Sequence, residues 1–549
     1  MKKEERKPAR AIASIVAGAV MLSAAVLVSN DSLERALLSD TSRTLSWGAT
    51  LFRALLAFHG LLLVAAGLLS RKRRSRAEDD ASSRPAADGD AAVGNAGSAP
   101  LPWVLLSALG ALALALRLWR LDTDLWYDEL LSLLEFVRPP LGEIVTSFSS
   151  QNQHMLYSVL AHASVGAFGE SAWAVRLPSV FFGVASLWAL FLLGRKVIGA
   201  RESLAACALM TVSYHHIWFS QNARGYMALL FFSTLATWLW LEALERGAWR
   251  WWAAYAAAVA LGMWSHMTMA FVVAAHGLLY LVWLARLWRE DRKQKAEGGR
   301  RRVGRAGAYT ELPAVAWARW RPVGAWVLGV SLTLQLHALS LPEFFGSALH
   351  MVSLPSEWSS TLWVVAETLR GLRVGFAGAA VVIGGGVMLG VGWLSILRRD
   401  YQAGLAMVLP AVLGGATMIA MNHYLWPRFF FFSMGFALLV AVHGATALPR
   451  LIFSRLTSFQ SRERAGAAAG AALACLMIAA SAVTLPRNYA LPKQDYTGAR
   501  DFVEQHRAPG DRVVAVALAG IAYGRYFAPH WSAAQTQAEL DAVRENAAT

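Results

Sequence analysis

The chain has 549 residues, 56% of them hydrophobic and only 16% charged, against about 25% charged in an ordinary soluble protein. Its apolar residues fall in blocks of about twenty, long enough to cross a hydrocarbon core about 30 Å thick, so a soluble globular fold is excluded and an all-α polytopic membrane protein is expected. The net charge of +15 reads as the Lys/Arg excess of cytoplasmic loops rather than as a nucleic-acid surface, and no nucleic-acid partner is expected.

In chain order, thirteen candidate spans lie at about 11–29, 49–69, 101–119, 174–194, 204–219, 226–243, 251–265, 268–287, 323–341, 375–396, 403–421, 429–447 and 466–485. The first follows Lys2, Lys3, Arg6, Lys7 and Arg10, as a signal peptide would, but no soluble domain comes after it, so it is read as an uncleaved span. With the N-terminus inside and the spans alternating, inner segments hold 33 Lys and Arg and outer loops hold 8. That split favours this orientation and puts the C-terminal tail outside. Arg53 and Arg117, within or at the ends of spans, are read as snorkelling to headgroups.

Four regions follow: two N-terminal spans (1–70), a cytosolic linker (71–100), a spanning core of about eleven helices (101–485) and a small outer tail (486–549). The linker, rich in Ala, Gly, Ser, Asp and Pro, is too polar to fold and is read as disordered. The basic stretch 289–322 suits anionic headgroups. Within the core, the 120–173 loop carries Trp126, Leu130, Leu133, Phe136, Leu156 and Phe168, a pattern for short amphipathic helices along the membrane surface. In the tail, Gly498 to His506 reads as helix and Arg512 to Leu518 as strand. About sixty residues make a marginal independent fold, so the tail is expected to dock on the membrane portion. Cys207 and Cys475 both sit in apolar blocks as packing residues.

Once this topology is drawn, polar residues gather at the outer side. Asp128 and Glu129 lie in the first core loop, with His154 later in it; His215 and His216 lie at the outer end of one span, followed by Gln221, Asn222 and Arg224; His266 ends another, and Asn422, His423 and Arg428 flank the start of a third. Singly, each has an ordinary explanation: a helix cap, a headgroup-level imidazole, a snorkelling arginine. Together they suit a reaction that deprotonates a nucleophile and releases an anionic phosphate. The competing use is a divalent metal held by His215–His216, or by His154 with Asp128. Adjacent residues on a helix point about 100° apart, so both histidines of the pair rarely reach one ion, and no metal ligand is assigned.

The order Trp126-Tyr127-Asp128-Glu129, Gln151-Asn152-Gln153-His154-Met155-Leu156-Tyr157, Val175-Arg176-Leu177-Pro178-Ser179, Ser220-Gln221-Asn222-Ala223-Arg224-Gly225-Tyr226 and Tyr424-Leu425-Trp426-Pro427-Arg428 resembles the bacterial branch of the GT-C glycosyltransferases. These are relatives of the protein O-mannosyltransferases and of the lipid A aminoarabinose transferase, and the resemblance covers about 101–520. It implies a GT-C-type bundle in a bacterial inner membrane, with the active site on the extracytoplasmic face. It also implies an inverting transfer of a sugar from a polyprenyl-phosphate donor to a protein, lipid or glycan acceptor, with no cofactor certain and a divalent metal as the alternative. Asp128 matches the family's loop acid and would be the general base, with Glu129 positioning substrate. Arg224, Arg428 and His266 would meet the donor phosphate, and His154, His216, Gln221 and Tyr226 would line the site. Asn222 stands where many members have a carboxylate. A transporter or lipid flippase of envelope precursors is the rival reading; it calls for ionisable groups at mid-membrane and two similar halves.

Overall fold

The structure is a computed structural model and describes residues 6–40, 42–82, 101–296, 313–346, 357, 360–375, 378–453, 459–490 and 492–548. Among these, nine helices are long and apolar enough to cross a membrane, or ten if Ala11–Leu27 and Asn30–Leu37, bent by 94°, form one broken span. The chain is an all-α polytopic membrane protein with a small α/β tail. Short helices at Tyr127–Phe136, Leu141–Thr146 and Met155–Phe168 occupy the loop expected to hold them.

Four of the thirteen expected spans, 11–29, 204–219, 251–265 and 323–341, are not among the nine; the first is the bent pair, and the last lies mostly in the helix Pro313–His337, whose N-terminal half carries Arg319 and Arg321. The segment 204–219 is two helices, Ala200–Thr211 and Tyr214–Ser220, broken at Val212–Ser213. Ser213 is the cause: its hydroxyl caps the second helix by accepting from His216 N–H. The helix Trp249–Ser265 has 17 residues, about 26 Å at 1.5 Å per residue. The helix Trp47–Ser82 continues into the segment read as a disordered linker. Arg, Lys, Ala and Glu there are good helix formers, and a helix once nucleated extends cheaply. The rest of that linker, 83–100, and the middle of the basic stretch, 297–312, lie outside the described residues.

The chain divides into two compact units. The first comprises 1–101, 140–151 and 323–352, so the two N-terminal spans share it with a piece of the first core loop and with a later helix. Arg6–Leu27 and Trp47–Ser82 pack as a close hairpin. A Cβ at Gly18 would lie 2.5 Å from Gly60 O, and one at Gly60 2.8 Å from Gly18 O, so this approach needs a glycine on each helix. Arg53 does not snorkel. It donates to Ala25 O (3.0 Å) and Asn30 Oδ1 (3.0 Å), tying the hairpin's bend. Glu143 pairs with Arg43, which also reaches Glu343 at 3.2 Å.

The second unit comprises 102–139, 152–322 and 353–549. Its centre is the pair Ala172–Val197 and Tyr226–Arg246, whose helices are the most buried. His276 is matched at this depth: it stacks on Trp240 (5.2 Å, 4° between planes) and hydrogen-bonds Tyr255 Oη (3.1 Å). Arg117, expected at the lipid headgroups, is fully buried instead. It donates to Met210 O (3.2 Å) and Thr211 O (3.3 Å) at the helix break, and to His216 Nδ1 (2.6 Å) and Ser220 Oγ (3.2 Å). The break frees Thr211 O, which needs a donor; Arg117 supplies it and adds a second donor to Met210 O, which also accepts Ser213 N–H.

The tail belongs to this unit and docks as expected. Its helix is Tyr496–His506, capped by Asp495, and its strand Val514–Val516 pairs in parallel with Ser532–Ala534. Tyr523, Phe527 and Trp531 share one hydrophobic cluster with Leu130, Leu133, Leu134 and Tyr157. A core shared in this way answers the size problem: the tail completes its packing on the short helices of the first core loop.

Candidate active site

The site is built from the first core loop outward. Arg176, in the first turns of Ala172–Val197, points its guanidinium back at that loop. Nη1 donates to Leu121 O (2.7 Å) and Thr123 O (2.8 Å), and Nη2 to Asp124 O (2.8 Å). Nε and Nη2 clasp Glu129 at 2.9 and 2.6 Å. All the donors of one planar fork thus fix the turn that starts the Tyr127–Phe136 helix.

Glu129 is fully buried and its carboxylate is fully engaged. Besides Arg176, Oε2 accepts Trp126 N–H (3.2 Å), closing the helix N-terminus, and Oε1 accepts Ala223 N–H (2.6 Å). Lys493 Nζ lies 3.7 Å from Oε1. Burial alone would raise this carboxyl's pKa. Arg176, then Lys493, outweigh it and hold the group at about 2.

Asp128, the next residue back, faces another way and keeps 19% of its side chain exposed. Its Oδ2 accepts Arg224 Nη1 at 2.5 Å and Arg428 Nη1 at 2.8 Å, and Oδ1 belongs to neither ion pair. Arg224 is buried; its Nε donates to His154 Nε2 (3.1 Å), and its carbonyl accepts from Ser179 Oγ (3.0 Å). Arg428 lies over the Trp426 ring at 4.6 Å, and its buried Nε has no hydrogen-bond partner among the described residues.

Behind the arginines stand three rings. His154 stacks on His266 (5.1 Å, 26°), and Tyr226 packs 5.3 Å from each, with the Arg224 guanidinium 5.4 Å above it. His154 accepts from Arg224 through Nε2, so its Nδ1 carries the proton and faces Ser265 O at 3.3 Å. Burial, then the nearby arginines, push both imidazoles below their usual range, His266 to about 3. Both are neutral at physiological pH.

Of the residues singled out in the sequence, Asp128, His154, Arg224, Tyr226, His266 and Arg428 meet in one cluster. Glu129 lies beneath it, sealed from solvent. Gln221 is a tie: its Nε2 donates to Arg117 O (3.0 Å) and Trp119 O (2.7 Å). His216 is elsewhere, between Arg117 and Ser186 Oγ (3.0 Å). Among the described residues no three His, Cys, Asp or Glu side chains converge as a metal site requires. Sequence reasoning gave no role to Arg176 or Lys493 and mistook Arg117. The available signal for Arg117 and Arg176 was a charge in an apolar block, which is costly and therefore engaged; Lys493 gave none.

These features define a multi-pass membrane protein whose site collects two arginines, an accessible carboxylate and neutral imidazoles. The family of dolichyl-phosphate-mannose-protein mannosyltransferases matches residues 154–298, a stretch that contains the His154 and Gln221–Tyr226 motifs, so the chain resembles that family there. It is similar to YkcB of Bacillus subtilis (strain 168), a candidate mannosyltransferase by name, with 28% identity over 113 residues; these are 21% of this chain and 16% of that protein. Similar solved structures include apo ArnT from Cupriavidus metallidurans (14% identity, TM-score 0.48, covering 81% of this chain and 88% of that one). The oligosaccharyltransferase AglB from Archaeoglobus fulgidus, solved with an inhibitory peptide and a dolichol-phosphate, has 14% identity and a TM-score of 0.44, over 76% of this chain and 62% of that one. The arabinosyltransferase EmbB from Mycobacterium smegmatis has 12% identity and a TM-score of 0.45, over 82% and 46%.

Proposed function

We propose that the chain is an inverting glycosyltransferase of a bacterial plasma membrane. It moves a sugar from a polyprenyl-phosphate donor to a hydroxyl of a protein, lipid or glycan acceptor on the outer face. The observation that carries this reading is the convergence of Arg224 and Arg428 on one oxygen of the partly open Asp128. With the imidazoles neutral, two guanidiniums and one carboxylate leave one positive charge uncompensated, which suits an anionic phosphate. The matched family carries dolichyl-phosphate-mannose in its name, which supports the donor class, and the loop-charge split supports the orientation.

In this reading Asp128 is the resting counter-ion of both arginines. A donor phosphate draws their Nη groups to itself, and Arg428 Nε, without a partner among the described residues, adds a further N–H. The acceptor oxygen then bonds to the anomeric carbon as the carbon–oxygen bond to phosphate breaks. The hydroxyl proton passes to Asp128, and polyprenyl phosphate leaves with the bonding electrons, its charge met by the arginines. Glu129, sealed below, positions rather than reacts. The test is Asp128→Asn with purified polyprenyl-phosphate sugar. It should bind donor and lose turnover by about 10²–10⁴-fold, the usual cost of a lost general base. Asn is a good residue for a helix N-terminus, so a wild-type rate would leave Asp128 as a helix-end residue only.

A further inference from the structure

We propose that Lys493 is a positioning residue for this site, strapping the segment after the last spanning helix across the seam between Glu129 and the 221–226 turn and so holding Arg224 in register with Asp128. The role rests on the donor-phosphate reading above. Lys493 Nζ donates to Gln221 O, lies 3.7 Å from Glu129 Oε1 and sits 4.7 Å from the Trp218 ring. Glu129 Oε1 also accepts Ala223 N–H. Residues 221 and 223 are therefore pinned from one point, and Arg224 is the next residue.

The strap has other anchors that need no charge. Tyr489 Oη donates to Leu116 O (2.6 Å), Gln494 Oε1 accepts Tyr127 N–H (2.7 Å), and Asn488 Nδ2 donates to Gln221 Oε1 (3.2 Å). Adhesion alone does not require a cation here. Glu129 and Arg176 already neutralise each other, so a protonated Lys493 leaves the buried trio one charge in excess, which is costly. Burial, with Arg176 opposing and Glu129 supporting the charge, brings the ammonium's pKa down to about 7. A lysine set there, beside Glu129 and Gln221 O, points to the site rather than to the fold.

The sign separates the two roles. Lys493 binds its proton more weakly folded than unfolded, so between about pH 7 and the ordinary lysine range the unfolded chain holds more protons and this group's contribution to stability rises with pH. Its charge on Glu129 and its hold on Gln221 weaken over the same range. The experiment compares full-length wild type, Lys493→Arg and Lys493→Met in detergent, reading affinity for undecaprenyl phosphate and melting temperature across about pH 6–9. Wild-type affinity should fall above about pH 7 with no matching fall in melting. Lys493→Arg, which does not titrate there, should bind with a flat profile, and Lys493→Met should bind about tenfold more weakly throughout, a mid-range coupling for one hydrogen-bonded network. Wild-type affinity in Lys493→Met overturns the proposal; so, should that variant fail to fold, does an arginine variant that keeps the alkaline fall. If wild type binds no undecaprenyl phosphate at any pH, the donor reading fails. Hydrogen exchange over 221–226 then decides for Lys493: faster exchange in Lys493→Met supports the strap, and unchanged exchange overturns it.

Discussion

Replacing Glu129 by Gln should destabilise the second unit by about 3 kcal/mol, although it changes a carboxylate oxygen for an amide of the same size. A carboxyl held at about 2 instead of its ordinary 4.5 contributes about 3 kcal/mol at neutral pH, at 1.36 kcal/mol per tenfold. Removing one partner of a buried ion pair typically costs 3–5 kcal/mol, about the same figure by an independent route. The amide has no good orientation. Oε1 accepts from Arg176 Nε and Ala223 N–H, while Oε2 accepts from Arg176 Nη2 and Trp126 N–H. Whichever side takes the NH₂ group sets donor against donor. The assay is denaturation in mild detergent as a function of pH. Because the folded pKa is depressed, the stabilisation is fully present above about pH 4.5 and is lost as pH falls toward 2. Wild type should show that acid limb, and Glu129→Gln should start lower and lack it. A variant as stable as wild type at neutral pH, or one with the same acid limb, would refute the account of Glu129 as the anchor.

Arg224→Lys keeps the charge but cannot reach His154 and Asp128 together from one planar fork; affinity for polyprenyl phosphate should fall at least about tenfold, well above any change in melting, checked by direct binding with purified lipid. Arg117→Met should cost about 2–4 kcal/mol by leaving Thr211 O without its side-chain donor at the helix break and by stripping one donor each from Met210 O and His216 Nδ1. Thermal melts should show this loss, with donor affinity in the surviving folded protein close to wild type.

The spans were legible because each is a local property of the chain: about twenty apolar residues announce themselves whatever surrounds them. The cluster was legible for a related reason, since drawing the topology alone brings Asp128, His154, Arg224, His266 and Arg428 to one level. Side-chain direction was not. His216 and Gln221 sit in the same motif as Arg224 yet point to Arg117 and to the end of Leu101–Leu118. The break at Val212–Ser213 was hidden because Thr211 and Ser213 interrupt an apolar run too briefly to change its hydropathy; Ser213 as a cap was the one local sign. Reading Arg53 and Arg117 as snorkelling applied a rule for helix ends facing lipid to side chains that face other helices. Lys493 lies in a polar tail where a lysine is unremarked, and only the docking of that tail gives it meaning.

The adjacent acids illustrate how one dipeptide can do two jobs. Successive residues on a helix project about 100° apart, so a pair at the start of Tyr127–Phe136 cannot both face the same surroundings. Glu129 turns into the core, where Arg176 and Lys493 hold it ionised and immobile. Asp128 turns to the opening, where its partners are the two arginines that an incoming anion would claim. The sealed acid governs the open one: Glu129 accepts Ala223 N–H while Asp128 accepts the guanidinium of the very next residue. Two bonds between the same two chain segments fix their register, as one bond could not. An arginine so placed loses little conformational freedom when it meets a phosphate, because that freedom was given up on folding. On the proposed function, the use of the buried ion pair, costly as a source of stability alone, is that preorganisation.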